Sequence, residues 1–170
     1  MRKKLPDRAK EWEVYLPETP MGPLRLYFTD RGLTALEFAG DELLPAPEHN
    51  APPPHLKPLI EAAKRELTAY FEGLPTDFAA LTLDPHGTPF QLRVWQELRR
   101  IPWGQTISYG ELARRVANPK APRAVGQANA VNPIPLIIPC HRVIAADGSL
   151  GGYSSGPDRK HWLLRHEGAM

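Results

Sequence analysis

One stretch constrains this chain more than any other: Asn132-Pro133-Ile134-Pro135-Leu136-Ile137-Ile138-Pro139-Cys140-His141-Arg142-Val143-Ile144. Its three prolines each fix φ and remove an amide donor, which excludes a continuous helix. Leu136, Ile137 and Ile138 form a short apolar run, as in a buried strand. The stretch is therefore expected to be extended and stiff. It holds the only cysteine of the 170 residues, just after the apolar run. A free cysteine is among the most buried residue types, and an inert core thiol is the plain alternative to a chemical role. The histidine that follows shifts the balance toward chemistry, because a thiol needs a base to become a nucleophile.

The rest of the sequence sets the frame. A single cysteine forms no internal disulfide and no cysteine-based zinc site, which points to a reducing, cytoplasmic setting. No apolar run approaches the length of a membrane span, and Met1-Arg2-Lys3-Lys4 is not followed by the apolar core of a signal peptide. Charge is unevenly placed. Up to Pro85, ten Lys and Arg stand against fourteen Asp and Glu; from His86 onward, eleven stand against five. The basic half is the one that carries the cysteine, and a basic surface suits a phosphate-bearing partner.

Period-two apolar residues from Glu13 to Phe38, broken at Pro20–Pro23 and Asp30–Gly32, predict β-structure with a hairpin. Residues 45–58 form a proline-rich loop whose His49 and His55 are expected to be exposed and inert. Leu56, Leu59, Ile60, Ala63, Leu67, Tyr70 and Phe71 share one helical face, and Gly73 stops that helix. Phe78 to Leu83 reads as a further short strand. Asp84-Pro85-His86-Gly87 divides the chain into residues 1–85, an α/β support, and 86–170, which carries the chemistry. In the second part, Thr88 with Gln91 and Ser108 with Glu111 read as capping boxes. Pro122 opens a third helix, rich in small residues with Gly126 in its interior. The two short helices on either side of Asn118-Pro119-Lys120 form a candidate helix-turn-helix. A glycine- and serine-rich loop around Tyr153 follows Ile144, and Asp158 to Glu167 is the last helix.

Taken together, these motifs resemble the O6-alkylguanine-DNA alkyltransferases. The resemblance rests on Pro139-Cys140-His141-Arg142-Val143-Ile144, on Ser108-Tyr109-Gly110-Glu111-Leu112-Ala113, on Arg123-Ala124-Val125-Gly126, on Asn132-Pro133, on Gly152-Tyr153-Ser154, and on Trp162-Leu163-Leu164 through His166-Glu167-Gly168. It is close from Thr88 to Gly168 and holds only in broad pattern before that.

The resemblance implies an α+β fold. A small ribonuclease H-like α/β domain precedes a mainly helical, winged-helix-like domain with a helix-turn-helix. It implies base flipping and irreversible transfer of an alkyl group from O6-alkylguanine, with O4-alkylthymine a further candidate, to Cys140, once per molecule. His141 is then the base for Cys140 through a bridging water, and Glu167 holds His141. Tyr109 aids flipping and protonates the leaving guanine, and Asn132 ties the helix-turn-helix to the cysteine segment. Arg123 fills the gap left by the base, with Ala124, Gly126, Gln127, Ala128 and Asn129 facing DNA in the minor groove. Tyr153 and Ser154 close on the base. The implied partner is double-stranded DNA carrying O6-alkylguanine, met by a monomer without membrane attachment. No cofactor is expected, and no metal: the cysteines through which some relatives hold zinc are absent. The rival readings are a lesion-binding sensor or regulator without chemistry, and a cysteine hydrolase that would turn over.

Overall fold

Alternating apolar residues build the first element. The computed structural model describes residues 11–40 and 51–170. Within them, β1 (Trp12–Leu16), β2 (Leu24–Thr29) and β3 (Gly32–Phe38) form an antiparallel sheet in that order. Val14 pairs with Leu26 and Leu26 with Leu36, so the period-two pattern sets the register. Leu24, Leu26, Phe28, Leu33 and Leu36 are buried on the sheet. Gly32 is required at the hairpin. A Cβ there would sit 2.5 Å from the Thr82 carbonyl oxygen, because the segment 82–84 runs alongside β3. Leu33 N donates to Thr82 O, and Asp84 N donates to Leu33 O. Phe78 to Leu83 is no strand beyond this: a single bridge joins Leu33 to Leu83. Phe78 has φ of 55° and heads a turn closed by Leu81 N to Phe78 O, which takes the segment out of a ladder.

Helix α1 (Lys57–Phe71) packs on the sheet through Ile60, Ala63, Leu67 and Tyr70. The proline-rich loop lies only partly within the described residues, and His49 falls outside them. His55, in the short turn before α1, is exposed and meets Asp30 at 2.8 Å.

The second part is mostly helical: α2 (Pro89–Leu98), β4 (Ile107–Ser108), α3 (Tyr109–Arg115), α4 (Pro122–Ala130), β5 (Val143–Ile144) and α5 (Pro157–His166). The capping box of α2 is complete. That of α3 is half formed. Ser108 Oγ accepts from Glu111 N, but the Glu111 carboxylate turns to Arg114 and Arg115 instead. Ala117, with φ of 57°, makes the turn into α4. Trp95 Nε1 on α2 donates to Ala128 O of α4 at 2.9 Å, fixing the helix-turn-helix on α2.

The proline-punctuated stretch departs from its sequence reading. Pro135 and Ile138 are bridged, and Leu136 between them has φ of 73°. The run is thus a tight turn rather than a strand. Its prolines remove ladder donors, and Asn132 supplies the missing partners: Nδ2 donates to Ile138 O at 2.8 Å and Oδ1 accepts from Ile134 N at 3.0 Å. Cys140–Arg142 then forms one turn of 3-10 helix, with Arg142 N donating to Pro139 O, instead of continuing extended. β5 follows and pairs with β4 in parallel.

The two parts share one core. Leu36 N donates to Pro133 O across the junction, and the Tyr70 ring meets Trp103 edge-on at 5.0 Å. The fold is α+β, with a small sheet part followed by a helical part. No helix among the described residues is long and apolar enough to cross a membrane.

Candidate active site

The 3-10 turn places three consecutive side chains in the interior. Cys140 is 1% exposed, His141 0% and Arg142 4%. Burying an ionisable pair is costly unless every charge is met. Here the C-terminal cap of α5 meets them. Glu167 Oε1 lies 2.7 Å from His141 Nε2, and Arg142 grips the same carboxylate with both Nε (2.9 Å to Oε2) and Nη2 (3.0 Å to Oε1). Arg142 Nη1 donates to Ile101 O. A fourth donor, the Tyr70 hydroxyl, reaches Glu167 Oε1 at 2.6 Å from α1.

The electrostatics follow from this packing. Burial pushes the Glu167 pKa up, but the hydrogen bonds and charges of His141 and Arg142 outweigh it, leaving the carboxyl at about 2. Glu167 is therefore an anion at neutral pH. Burial lowers the His141 pKa, against the pull of Glu167, so the ring is neutral and able to take a proton. With Nε2 on Glu167, Nδ1 is the free acceptor: it is buried without a protein partner. No hydrogen bond joins it directly to Cys140. Burial raises the Cys140 thiol, while Asn132, Lys160 and Tyr153 draw it back down.

Two asparagines brace the cysteine turn from α4 and its end. Asn132 is 4% exposed and holds the turn described above. Asn129 Nδ2 donates to the Cys140 carbonyl at 3.3 Å. Tyr109 opens α3 and is half-buried; a Cβ on Gly151 would lie 3.4 Å from its hydroxyl, and one on Gly126 would lie 3.8 Å from its ring. Burial and the nearby Cys140 raise its pKa, so the phenol keeps its proton. Tyr153 is half-buried, its hydroxyl enclosed and without a well-formed hydrogen bond; burial and Cys140 raise its pKa strongly. Ser154 is exposed beside it.

On α4, Arg123 and Gln127 are exposed and Ala124 and Gly126 half-buried. Ala128 and Asn129 are corrections to the sequence reading. They are 2% and 4% exposed and turn inward, because the helix packs that face on α2 and the cysteine turn. Among the described residues, no group of three or more His, Cys, Asp or Glu is arranged to hold a metal ion.

With this geometry in hand, the comparisons are consistent along the chain. Residues 12–85 match the family described as 6-O-methylguanine DNA methyltransferase, ribonuclease-like domain, and residues 89–169 match 6-O-methylguanine DNA methyltransferase, DNA binding domain. The methylated-DNA–protein-cysteine methyltransferase of Methanosarcina acetivorans is 44% identical over 153 residues, covering 89% of this chain and 96% of that one. The chain belongs to the methylated-DNA–protein-cysteine methyltransferase family. The methyltransferase of the same name from Mycobacterium tuberculosis is 45% identical over 150 residues, covering 88% of each chain. The crystal structure of Mycobacterium tuberculosis OGT in complex with DNA superposes with a TM-score of 0.76 at 44% identity, covering 91% of each chain.

For a member of this family, three site residues escape a motif-based reading. Arg142 lies inside the signature, yet only the fold shows it clamping Glu167. Lys160 on α5 is 0% exposed; its Nζ donates to Val143 O at 2.6 Å and Gly152 O at 3.3 Å. Burial lowers its pKa to about 8, against the upward pull of Cys140. No local pattern in the sequence marks it; the packing of α5 buries it, and the two carbonyls supply the partners that a buried Lys requires. Tyr70 lies 97 residues from Glu167 in sequence, and no local pattern marks it.

Proposed function

We propose that this protein repairs DNA by direct reversal, transferring the alkyl group of an O6-alkylguanine in duplex DNA to Cys140, once per molecule. The observation that carries the reading is the buried series Cys140, His141, Glu167, in which the histidine is neutral and its Nδ1 is left unpartnered. In the step, the Cys140 thiol gives its proton, through a water, to Nδ1, and Glu167 stabilises the imidazolium that forms. The sulfur attacks the alkyl carbon. The S–C bond forms as the C–O6 bond breaks, and its electron pair passes to the guanine, which Tyr109 protonates. A protonated Lys160 near the sulfur favours the thiolate.

Placement supports the remaining roles in this reading. Arg123, exposed at the start of α4, enters the stack vacated by the flipped base, with Ala124, Gly126 and Gln127 beside it in the minor groove. Asn132 and Asn129 hold the cysteine turn. Tyr153 and Ser154 border the base. Residues 1–85 form the support domain and 86–170 the alkyl-transfer domain, acting as a monomer.

The test is intact mass after mixing with a duplex bearing one O6-methylguanine, then peptide mapping. A gain of about 14 Da, the mass of one methylene, confined to Cys140 and never exceeding one per molecule is expected. Retained binding with no gain would move the protein to a lesion sensor. Many turnovers per molecule would make it a hydrolase.

A further inference from the structure

We infer that Tyr70, on the sheet-packed helix α1, is a positioning residue for the alkyl transfer, so that the N-terminal part completes the catalytic relay rather than only supporting it. This rests on the reading of Cys140, His141 and Glu167 given above. The phenol donates at 2.6 Å to Glu167 Oε1, the oxygen that also meets His141 Nε2 at 2.7 Å. It therefore competes directly with the imidazole for the same lone pairs. A structural bond could have gone to any nearby carbonyl; this one goes to the atom that sets histidine basicity.

The phenol is well held for that task. Tyr70 is 0% exposed, with its ring against Phe71, Phe78, Trp103 and His166 at centroid distances of 5.0–5.8 Å. Its carbonyl accepts from His166 Nε2 at 2.6 Å, tying α1 to the end of α5 next to Glu167. Burial and the Glu167 charge raise its pKa far above the ordinary value, so it donates at every working pH. The titratable and charged groups that face the relay are Cys140, His141 and Arg142 from the cysteine turn, Tyr109 from α3, Tyr153 from the loop after β5, Lys160, His166 and Glu167 from α5 and its cap, and Tyr70 from α1. Of these, Tyr70 alone comes from the N-terminal part.

A hydrogen bond to the carboxylate disperses its charge and lowers its pull on His141. Removing it should raise the histidine pKa and loosen the carboxylate. The experiment measures single-turnover alkyl transfer to the full chain from a duplex bearing one O6-methylguanine, as a function of pH. Tyr70→Phe keeps the ring and removes the donor. We expect its rate to fall about tenfold, as when a ligating imidazole loses its outer partner. We expect the acid limb of its profile to move up by about half a pH unit, with duplex affinity unchanged. Leu67→Ala, one turn away on the same buried face, controls for stability and should leave the limb in place. Replacing Tyr70 by 3-fluorotyrosine, nearly isosteric and a stronger donor, should move the limb down, and it supplies the test if Tyr70→Phe does not fold. A limb that stays put in Tyr70→Phe or the fluorotyrosine protein would overturn the inference, whether or not the rate falls. Absence of transfer in the unmodified protein would instead overturn the relay reading beneath it.

Discussion

The cysteine turn and the outer face of α4 belong to the same half of the chain and are built on opposite terms. Around Cys140, His141, Arg142, Lys160 and Glu167 are buried, and each has charged or hydrogen-bonding partners at 2.6–3.3 Å. On the outer face of α4, Arg123 and Gln127 project into solvent. The difference fits the roles proposed for each surface. Moving a proton off a thiol needs donors and acceptors fixed before substrate arrives, in a medium that magnifies their charge. Gripping a duplex of any sequence needs a cation and small residues that adapt to a backbone. One site spends stability on order, whereas the other leaves its side chains free.

The largest effect is expected at Glu167. Glu167→Gln removes the only anion facing His141 and Arg142 within the buried cluster and should leave that arginine uncompensated, at a cost of about 3–5 kcal/mol in unfolding free energy. Alkyl transfer should fall about 100-fold or more in the same variant, because the imidazolium loses its stabilising charge. Denaturant melts and single-turnover kinetics check the two halves. Next comes the outer face. Arg123→Ala should weaken duplex binding about tenfold, or about 1.4 kcal/mol, with an unchanged melt; a titration at fixed salt measures it. A large stability loss in Arg123→Ala would show that the two regions are not built differently.

Acid sharpens the contrast less dramatically. The Glu167 pKa is depressed in the fold from its ordinary 4.5 to about 2. The stability it contributes is therefore fully present above about 4.5 and is lost as pH falls from there through about 2. His141, also depressed, adds a loss that begins as pH drops below its ordinary 6.5. Unfolding free energy measured from pH 7 to 3 should decline across both windows in the unmodified protein. In Glu167→Gln the lower window should flatten. The smallest effect is expected at Gln127→Ala, which should change duplex affinity by a factor of about two and leave both transfer rate and melt unaltered.

Much of this was legible in the residues, and the reasons divide cleanly. The sheet register followed from alternation, α1 from its apolar face, and the candidate nucleophile from Pro139-Cys140-His141-Arg142. These are local signals. The turn at Leu136 was read as a strand because three apolar residues between prolines carry no mark of the Asn132 side chain that closes them. Asn129 and Ala128 were read as facing outward because a nine-residue helix built largely of small residues does not announce which side α2 covers. Tyr70 and Lys160 were invisible for a different reason. Their roles arise from pairings that only the packing of α1 and α5 creates, and sequence distance hides them.

If chemistry and grip reside in separable regions, Cys140→Ala should remove one and keep the other. Transfer and binding would be measured on the same lesion-bearing duplex. No mass gain at all is expected, with a dissociation constant within about a factor of three of the unmodified protein, since an interior thiol contributes nothing to the DNA face. Loss of both transfer and binding together would contradict it, showing that Cys140 holds the α4 surface in place rather than acting on the substrate.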